Sequence, residues 1–278
     1  NIFFNSIVNN GRNIVESPLR YDESAYQMDF EDLERKLSNP QTTLMILCNP
    51  HNPVGRIWSR EELEQVGGLC RKYHVTVISD EIHCDLTSPG QEYIPFASVS
   101  ENCKNNSITC MAPTKAFNLA GLQTAAVAVP NPNLRHKVWR GLNTDEVAEP
   151  NSFAVEAAVA AFTKGEAWLD DLREYIQENK NFAEDFLKKE VPQIKQVSSQ
   201  AAYLLWLDCR DMHGCAGEFT QYLREHTGLY LSEGKQYGEN GSSFIRMNIA
   251  CSRSQLEDGL KRLAEWVRGY EEWALSIC

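Results

Sequence analysis

The chain has 278 residues, of which 42% are hydrophobic and 23% charged, and its formal net charge is −11 at pH 7. This size and composition allow one large or two ordinary soluble domains with a substantial core. The acidic balance, without any cluster of Lys or Arg, argues against nucleic acid or an anionic membrane as a partner. No apolar run approaches the roughly 18 residues that a membrane-spanning helix needs.

The nine cysteines indicate a reducing compartment. No two of them form a Cys-x-x-Cys pair, and Cys48, Cys110 and Cys209 lie in apolar, strand-like runs. In such runs cysteine behaves as a small hydrophobic residue. We therefore predict free thiols and a cytoplasmic protein.

The first half of the chain alternates between helical and strand-like patterns. Helical spacing predicts a short helix over 2–8, a helix capped by Asp29, and a helix that Ser59 starts, with Glu62 completing a capping box. Strands are predicted over 13–19, 44–48, 75–79, 108–111 and 123–129, the last four of them buried. The order strand, turn, helix, strand over 44–79 is a βαβ unit. Open α/β sheets bind ligands at the carboxyl ends of such strands.

The second half has a different pattern. Helices are predicted over 133–142, 152–164, 166–191 and 215–227, strands over 202–207, 229–231 and 244–249, and a last helix from a Ser254 cap. We place a domain boundary near Gly165, with a large domain of mainly parallel sheet over 1–165 and a smaller α+β domain over 166–278. The apolar residues at the start need partners, and we expect that an N-terminal piece of the large domain is absent.

Four polar residues suggest one kind of chemistry when they are taken together. They are Asn52 in a Pro/Asn/Gly turn, Asp80 at a strand end, Lys115 in a tight turn between two strands, and Arg246 in the smaller domain. A lysine can hold an aldehyde cofactor as an imine, and a buried carboxylate can keep a pyridine nitrogen protonated. An amide can donate to the phenolic oxygen of the ring, and an arginine can bind a substrate carboxylate through two hydrogen bonds.

Three of these four residues also have an ordinary structural explanation. Lys115 could extend its ammonium from a strand end into water, Asp80 could cap its strand, and Arg246 could form a structural ion pair. The run 80–85 contains Asp, Glu, His and Cys and could suggest a metal site. Because neighbouring side chains on a strand point to opposite faces, we predict no metal there.

Four segments together resemble a known family. They are NPHNPVGR (49–56), ISDEIHCDL (78–86), MAPTKAFNLAGLQ (111–123) and FIRMNIAC (244–251). In this order they are similar to the fold-type I pyridoxal-phosphate enzymes, the aminotransferase class I/II superfamily. Within that superfamily the chain looks like the cystathionine β-lyase or C–S lyase branch. The resemblance implies a pyridoxal-phosphate-dependent transferase-like α/β fold for the large domain.

The resemblance also implies a role for each matching residue. Lys115 matches the lysine that bonds pyridoxal 5'-phosphate and later moves the Cα proton, and Asp80 matches the partner of the pyridine nitrogen. Asn52 matches a donor to the ring oxygen, and Thr114 matches a hydroxyl that contacts the phosphate. Arg246 matches the residue that binds the substrate α-carboxylate.

Three further positions depart from common patterns of this superfamily. His83 falls where many relatives have a tyrosine near the ring oxygen, and we include it among the cofactor-binding residues. Ala112 and Gln123 stand where many aspartate-type aminotransferases have a phosphate-binding serine and arginine, which favours the C–S lyase branch. Other phosphate contacts and a ring-stacking aromatic residue come from an N-terminal segment in the family, and none can be located here.

The implied reaction is α,β-elimination on L-cystathionine or a related S-substituted cysteine, with release of a thiol, pyruvate and ammonia. An aminotransferase that uses the same residues stays open, because the reaction after the loss of the Cα proton depends on other pocket residues. A third interpretation is a regulatory protein that keeps the fold and contacts a transcription factor. Relatives are usually homodimers, so we expect a homodimer with a small amino-acid substrate.

Overall fold

The computed structural model describes residues 2–23, 25–212 and 216–277, with positions 268 and 271–277 described by their backbone alone. The helices are α1 Ile2–Asn9, α2 Phe30–Leu37, α3 Arg60–Lys72, α4 Glu101–Asn105, α5 Pro113–Ala116, α6 Pro132–Thr144, α7 Ala154–Lys164, α8 Glu166–Glu190, α9 Ala216–Thr227 and α10 Arg253–Ile277. The strands are β1 Arg20–Tyr21, β2 Tyr26–Gln27, β3 Leu44–Cys48, β4 Thr76–Asp80, β5 Ser107–Met111, β6 Ala126–Ala128, β7 Lys195–Gln196, β8 Leu204–Asp208, β9 Ser232–Glu233 and β10 Phe244–Asn248.

The first four-stranded sheet has the order β3-β4-β5-β6. Strands β3, β4 and β5 are parallel, and β6 runs antiparallel to β5. The predicted α/β class with a mainly parallel sheet is confirmed. The register pairs Cys48 with Asp80 and Asp80 with Cys110, which aligns the carboxyl ends of three strands at one edge of the sheet.

The ends of two helices follow the sequence signals closely. Asp29 accepts a hydrogen bond from the Asp32 N–H, and Ser59 and Glu62 form the complete capping box of α3. Each side chain satisfies a backbone N–H group that has no partner inside the helix. The last helix differs, because the Ser252 hydroxyl rather than Ser254 accepts from a first-turn N–H group.

Several predicted strands are wrong in extent or burial. No strand forms over 13–19, and the segment 229–231 precedes the short strand β9 instead of forming one. Strand β6 is exposed along its length, and Leu44 at the start of β3 is 49% exposed. Both strands lie at the edges of the sheet, where one side has no neighbouring strand. Apolar composition alone does not distinguish an edge strand from a buried one.

The second four-stranded sheet is antiparallel, in the order β7-β8-β10-β9. Helices α8, α9 and α10 contribute to one large apolar cluster with this sheet, and α2, α3 and β4 contribute to another. Helix α8 begins directly after Gly165, the position of the predicted domain boundary. The division into two domains stays a prediction.

The described cysteines at 48, 70, 84, 103, 110, 209 and 251 are free thiols. Among the described helices, none has the length and apolar character to cross a membrane.

Candidate active site

Asp80 is the last residue of β4, at the carboxyl edge of the parallel sheet. The Ile82 N–H donates to its carboxylate over 3.1 Å. Burial raises the pKa of Asp80, and the positive charge of Lys115 acts in the opposite direction. The next residue, Glu81, points elsewhere and accepts hydrogen bonds from the Ser79 hydroxyl and the Phe96 N–H.

Lys115 lies in helix α5, directly after β5. The sequence predicted a turn here, whereas the structure has one turn of helix with Pro113 at its first position. Proline suits that position because its missing N–H would have no helical partner. Thr114 is 9% exposed, and within the described residues neither its hydroxyl nor the Lys115 ammonium has a hydrogen-bond partner.

Asn52 and Arg246 come together from distant parts of the chain. Asn52 lies in the turn after β3. This turn is closed by a hydrogen bond from the His51 N–H to the Arg56 carbonyl, over 2.8 Å. Arg246 is the middle residue of β10, and its Nη1 donates to Asn52 Oδ1 over 3.2 Å. Because the amide oxygen is occupied in this way, the amide N–H₂ of Asn52 is left to donate to a ligand.

His83 lies three residues after the end of β4 and is 3% exposed. Among the described residues its Nδ1 has no hydrogen-bond partner, and its ring meets the ring of Tyr203 edge to face at 5.9 Å. Burial, together with the nearby positive charges of Lys115 and Arg246, lowers the pKa of His83 to about 4. The imidazole is therefore neutral at physiological pH.

The six sequence-predicted residues thus form one neighbourhood. The charge of Lys115 lowers the pKa values of Asp80 and His83, and the charge of Arg246 also lowers that of His83. Arg246 is hydrogen-bonded to Asn52. Thr114 is next to Lys115 in α5. None of the six is placed away from the others. Their individual roles remain proposals.

Sequence reasoning missed Tyr203, which stands beside this group. Burial raises the pKa of its hydroxyl, and Arg246 acts in the opposite direction. The residue before it, Ala202, has a left-handed φ of +63°, and the Ala202 N–H donates to the Leu86 carbonyl over 2.8 Å. A non-glycine residue in this region is strained, and such strain is concentrated at functional sites. Nothing local in the sequence marks an alanine for this conformation.

Sequence reasoning also missed Lys180, a lysine of α8 that is only 3% exposed. Its ammonium donates to the Ser88 hydroxyl over 3.1 Å and to the Ala201 carbonyl over 3.4 Å. Burial lowers its pKa to about 8. Lys180 thereby ties α8 to two segments that flank the site, at 83–88 and 199–203.

The family model for aminotransferase class I and II matches residues 4–263. The chain belongs to this family. It is 46% identical to the cystathionine β-lyase PatB of Bacillus subtilis over 261 residues, which are 94% of this chain and 67% of that protein. It is 32% identical to the protein MalY of Escherichia coli, over 96% of this chain and 68% of that protein. The chain therefore spans about two thirds of the length of these relatives.

Solved structures in the same family have the same fold. Cystalysin from Treponema denticola, which contains pyridoxal 5'-phosphate, matches with a TM-score of 0.93 and 29% identity over 96% of this chain and 68% of that chain. A pyridoxal-phosphate-bound C–S lyase from Staphylococcus hominis matches with a TM-score of 0.87 and 34% identity, over 95% and 69% of the two chains. These matches confirm the predicted family, its fold, and the similarity to the C–S lyase branch.

Proposed function

We propose that this protein is a pyridoxal-phosphate-dependent C–S lyase that eliminates a thiol from L-cystathionine or a related S-substituted cysteine. The observation that supports this most directly is the convergence of Asp80, Lys115 and the Asn52–Arg246 pair beside the carboxyl ends of one parallel sheet. Its relatives include cystathionine β-lyases from several bacteria. A small amino acid is therefore the expected substrate class.

The groups in the site fit this cofactor. Asp80 is a half-buried carboxylate with a raised pKa and a single hydrogen bond from the described residues, so a protonated ring nitrogen would supply a missing partner. The side-chain amine of Lys115, once deprotonated, can condense with an aldehyde and release water, and the amide N–H₂ of Asn52 suits a phenolic oxygen. Thr114 offers a hydroxyl to a phosphate.

When bound, pyridoxal 5'-phosphate supplies an electron sink that makes the Cα proton of an amino acid removable. Lys115 Nζ acts as the general base that takes this proton. Asp80 holds a proton at the ring nitrogen, which sustains the electron sink. Arg246 binds the substrate α-carboxylate and orients the Cα–H bond toward Lys115.

The neutral state of His83 suits this arrangement. With a pKa of about 4, its imidazole adds no positive charge between Lys115 and Arg246. Its unpartnered Nδ1 can form a hydrogen bond to a ligand oxygen. The Cβ–S bond of the substrate then breaks, and the leaving thiolate takes up a proton to give the thiol. Water hydrolyses the remaining aminoacrylate to pyruvate and ammonia.

The first experiment is a product assay on the purified protein supplied with pyridoxal phosphate and L-cystathionine. The proposal predicts pyruvate and a free thiol in equal amounts. Transfer of the amino group to a keto acid, without thiol release, would establish an aminotransferase instead. A stable complex with a transcription regulator and no turnover would support the regulatory interpretation.

Variants of Lys115 test the assignment of the site. Lys115→Ala should abolish turnover, whereas Lys164→Ala, on an exposed residue at the end of α7, should not change it. Borohydride trapping with peptide mass mapping should label Lys115 in the unmodified protein. Thiol release that persists in Lys115→Ala would refute the assignment. The homodimer and the cytoplasmic location stay predictions, which sedimentation and cell fractionation can test.

A further inference from the structure

Arg246 is a cation held by neutral groups. Among the described residues it forms no ion pair with a carboxylate, and its hydrogen bonds are to Asn52 Oδ1 at 3.2 Å and Ser232 Oγ at 3.5 Å. Ser232 is also its register partner across β9 and β10. The third neighbour is Tyr237, whose ring centroid lies 4.8 Å from the centre of the guanidinium.

The ring of Tyr237 is fixed by its surroundings. It meets Trp206 edge to face at 5.9 Å, and Trp206 stacks on Phe244 at 5.2 Å with an angle of 2° between the rings. Trp206 Nε1 also donates to the Tyr26 hydroxyl over 3.0 Å. In the sheet, Arg246 of β10 is paired with Ser232 of β9 on one side and with Trp206 of β8 on the other. Tyr237 is therefore packed against a rigid aromatic stack.

The turn that carries Tyr237 is itself closely packed on this stack. It is a short 3₁₀ turn, Gly234–Tyr237. A Cβ atom at Gly234 would lie 2.5 Å from the Phe244 carbonyl oxygen and 2.6 Å from the Trp206 ring. Only glycine permits the turn to approach so closely, so the position of the Tyr237 ring follows from this packing.

An aromatic ring and a carboxylate hold an arginine side chain in different ways. A carboxylate neutralises the guanidinium and occupies two of its five N–H groups. A ring face attracts the cation through its quadrupole and leaves the N–H groups in the guanidinium plane free. With single bonds to Asn52 and Ser232, Arg246 keeps N–H groups available for an incoming anion.

We propose that Tyr237 is a positioning residue for the substrate α-carboxylate, because its ring fixes the plane of Arg246 while leaving the guanidinium charged and its remaining donors free. This inference rests on the proposed function, in which Arg246 binds that carboxylate. A ring that only fills space beside Trp206 would instead affect stability without any preference for carboxylate ligands.

The test compares two ligands that differ in the carboxylate alone. In the cofactor-loaded protein with Lys115→Ala, where turnover is blocked, binding of S-methyl-L-cysteine and of 2-(methylthio)ethylamine is measured by calorimetry. Adding Tyr237→Leu should weaken S-methyl-L-cysteine roughly 3- to 30-fold and leave the amine unchanged. Adding Tyr237→Phe, which keeps the ring face, should leave both within about twofold.

Kinetics with an intact Lys115 give a second measurement. Tyr237→Leu should raise KM for L-cystathionine by a similar factor, with kcat changed less than KM, and Tyr237→Phe should restore KM. If Tyr237→Leu does not fold, Tyr237→Met fills the same space without a ring. Equal weakening of the two ligands by the leucine variant, or unchanged binding of both, would overturn the proposal.

Failure of the proposed function gives a different result. If the protein without any Tyr237 substitution binds the amine as tightly as the amino acid, Arg246 does not recognise the carboxylate and the assigned role of the arginine fails. If carboxylate preference is present but no thiol is released, the reaction is misassigned and the Tyr237 test can still be made.

Discussion

Arg246 Nη1 donates to Asn52 Oδ1 over 3.2 Å, although the two residues are 194 positions apart in the chain. Asn52 follows the first strand of the parallel sheet, and Arg246 lies in the middle of the antiparallel sheet. In the proposed function Asn52 donates to the cofactor ring and Arg246 binds the substrate, so this hydrogen bond joins the two proposed roles. A change at Asn52 should therefore affect both functions.

Asn52→Asp tests this link with almost no change in size. The new carboxylate would pair with Arg246, neutralise it, and remove the N–H₂ donor. We expect KM for L-cystathionine to rise at least about tenfold and kcat to fall. The reason is that a hydrogen bond to a charged group, such as the one between Arg246 and the substrate carboxylate, contributes about 1.5–3 kcal/mol. Asn143→Asp, on an exposed position of α6, adds the same charge and should leave both constants unchanged. Unchanged KM in Asn52→Asp would contradict the assigned role of Arg246.

Lys180→Met tests how much stability the protein loses by keeping the Lys180 ammonium buried. The native pKa is about 8, below the usual 10.5, so between these values the unfolded chain binds more protons and stability rises with pH. Below pH 8 the native state keeps the buried charge at a cost of up to about 3 kcal/mol, which methionine avoids. The stability advantage of the variant should therefore be largest near pH 7 and shrink toward pH 10.

Urea unfolding at several pH values measures this difference. Lys137→Met, on an exposed position of α6, is the matched control and should show no such dependence on pH. A difference between Lys180→Met and the unmodified protein that stays constant from pH 7 to pH 10 would be inconsistent with a lowered pKa for Lys180.

From the lowered pKa values of two histidines, we expect the protein to lose stability in acid. Burial lowers the pKa values of His51 and His83 to about 4, whereas histidine in the unfolded chain titrates near pH 6.5. Between these values the unfolded chain binds more protons, so stability falls as the pH drops through this window. His83→Gln should reduce the slope of the free energy of unfolding against pH by up to about 1.4 kcal/mol per pH unit. His136→Gln, on an exposed residue, should leave the slope unchanged in unfolding experiments from pH 7 to pH 4.5.

Gly55→Ala tests how the turn of Asn52 is held. Gly55 has a φ of +76°, and a Cβ there would lie 2.5 Å from the Ala201 carbonyl oxygen and 2.8 Å from Ser199 Cβ. The Gly55 carbonyl also accepts from the Gln200 and Ala201 N–H groups, over 2.8 and 2.9 Å. We expect a loss of about 2–4 kcal/mol in the free energy of unfolding, together with lower activity.

Gly90→Ala separates backbone strain from the steric clash. Gly90 has a similar φ of +79°, but open space surrounds its Cβ position. Its substitution should cost only the strain of the left-handed conformation, about 1–2 kcal/mol. Equal losses in the two variants would show that the contact with Ala201 does not matter.

Elements defined by local signals were predicted well. Strand β3 and the capping box of α3 were located correctly, because a run of apolar residues and a serine three residues before a glutamate act within one element. Less local properties were missed. The exposure of β6 depends on its edge position, and the helix around Lys115 depends on Pro113 and on the strand that precedes it.

The sequence by itself determined the βαβ unit over 44–79, most of the longer helices, the four motifs and their family, because periodicity, caps and motif spacing are properties of neighbouring residues. The tertiary structure alone decided which side chains meet. The contact between Asn52 and Arg246, the Tyr237 ring on the guanidinium, and the burial of Lys180 all depend on how the two sheets and α8 pack together. Such contacts join residues far apart in the chain, and no local pattern records them.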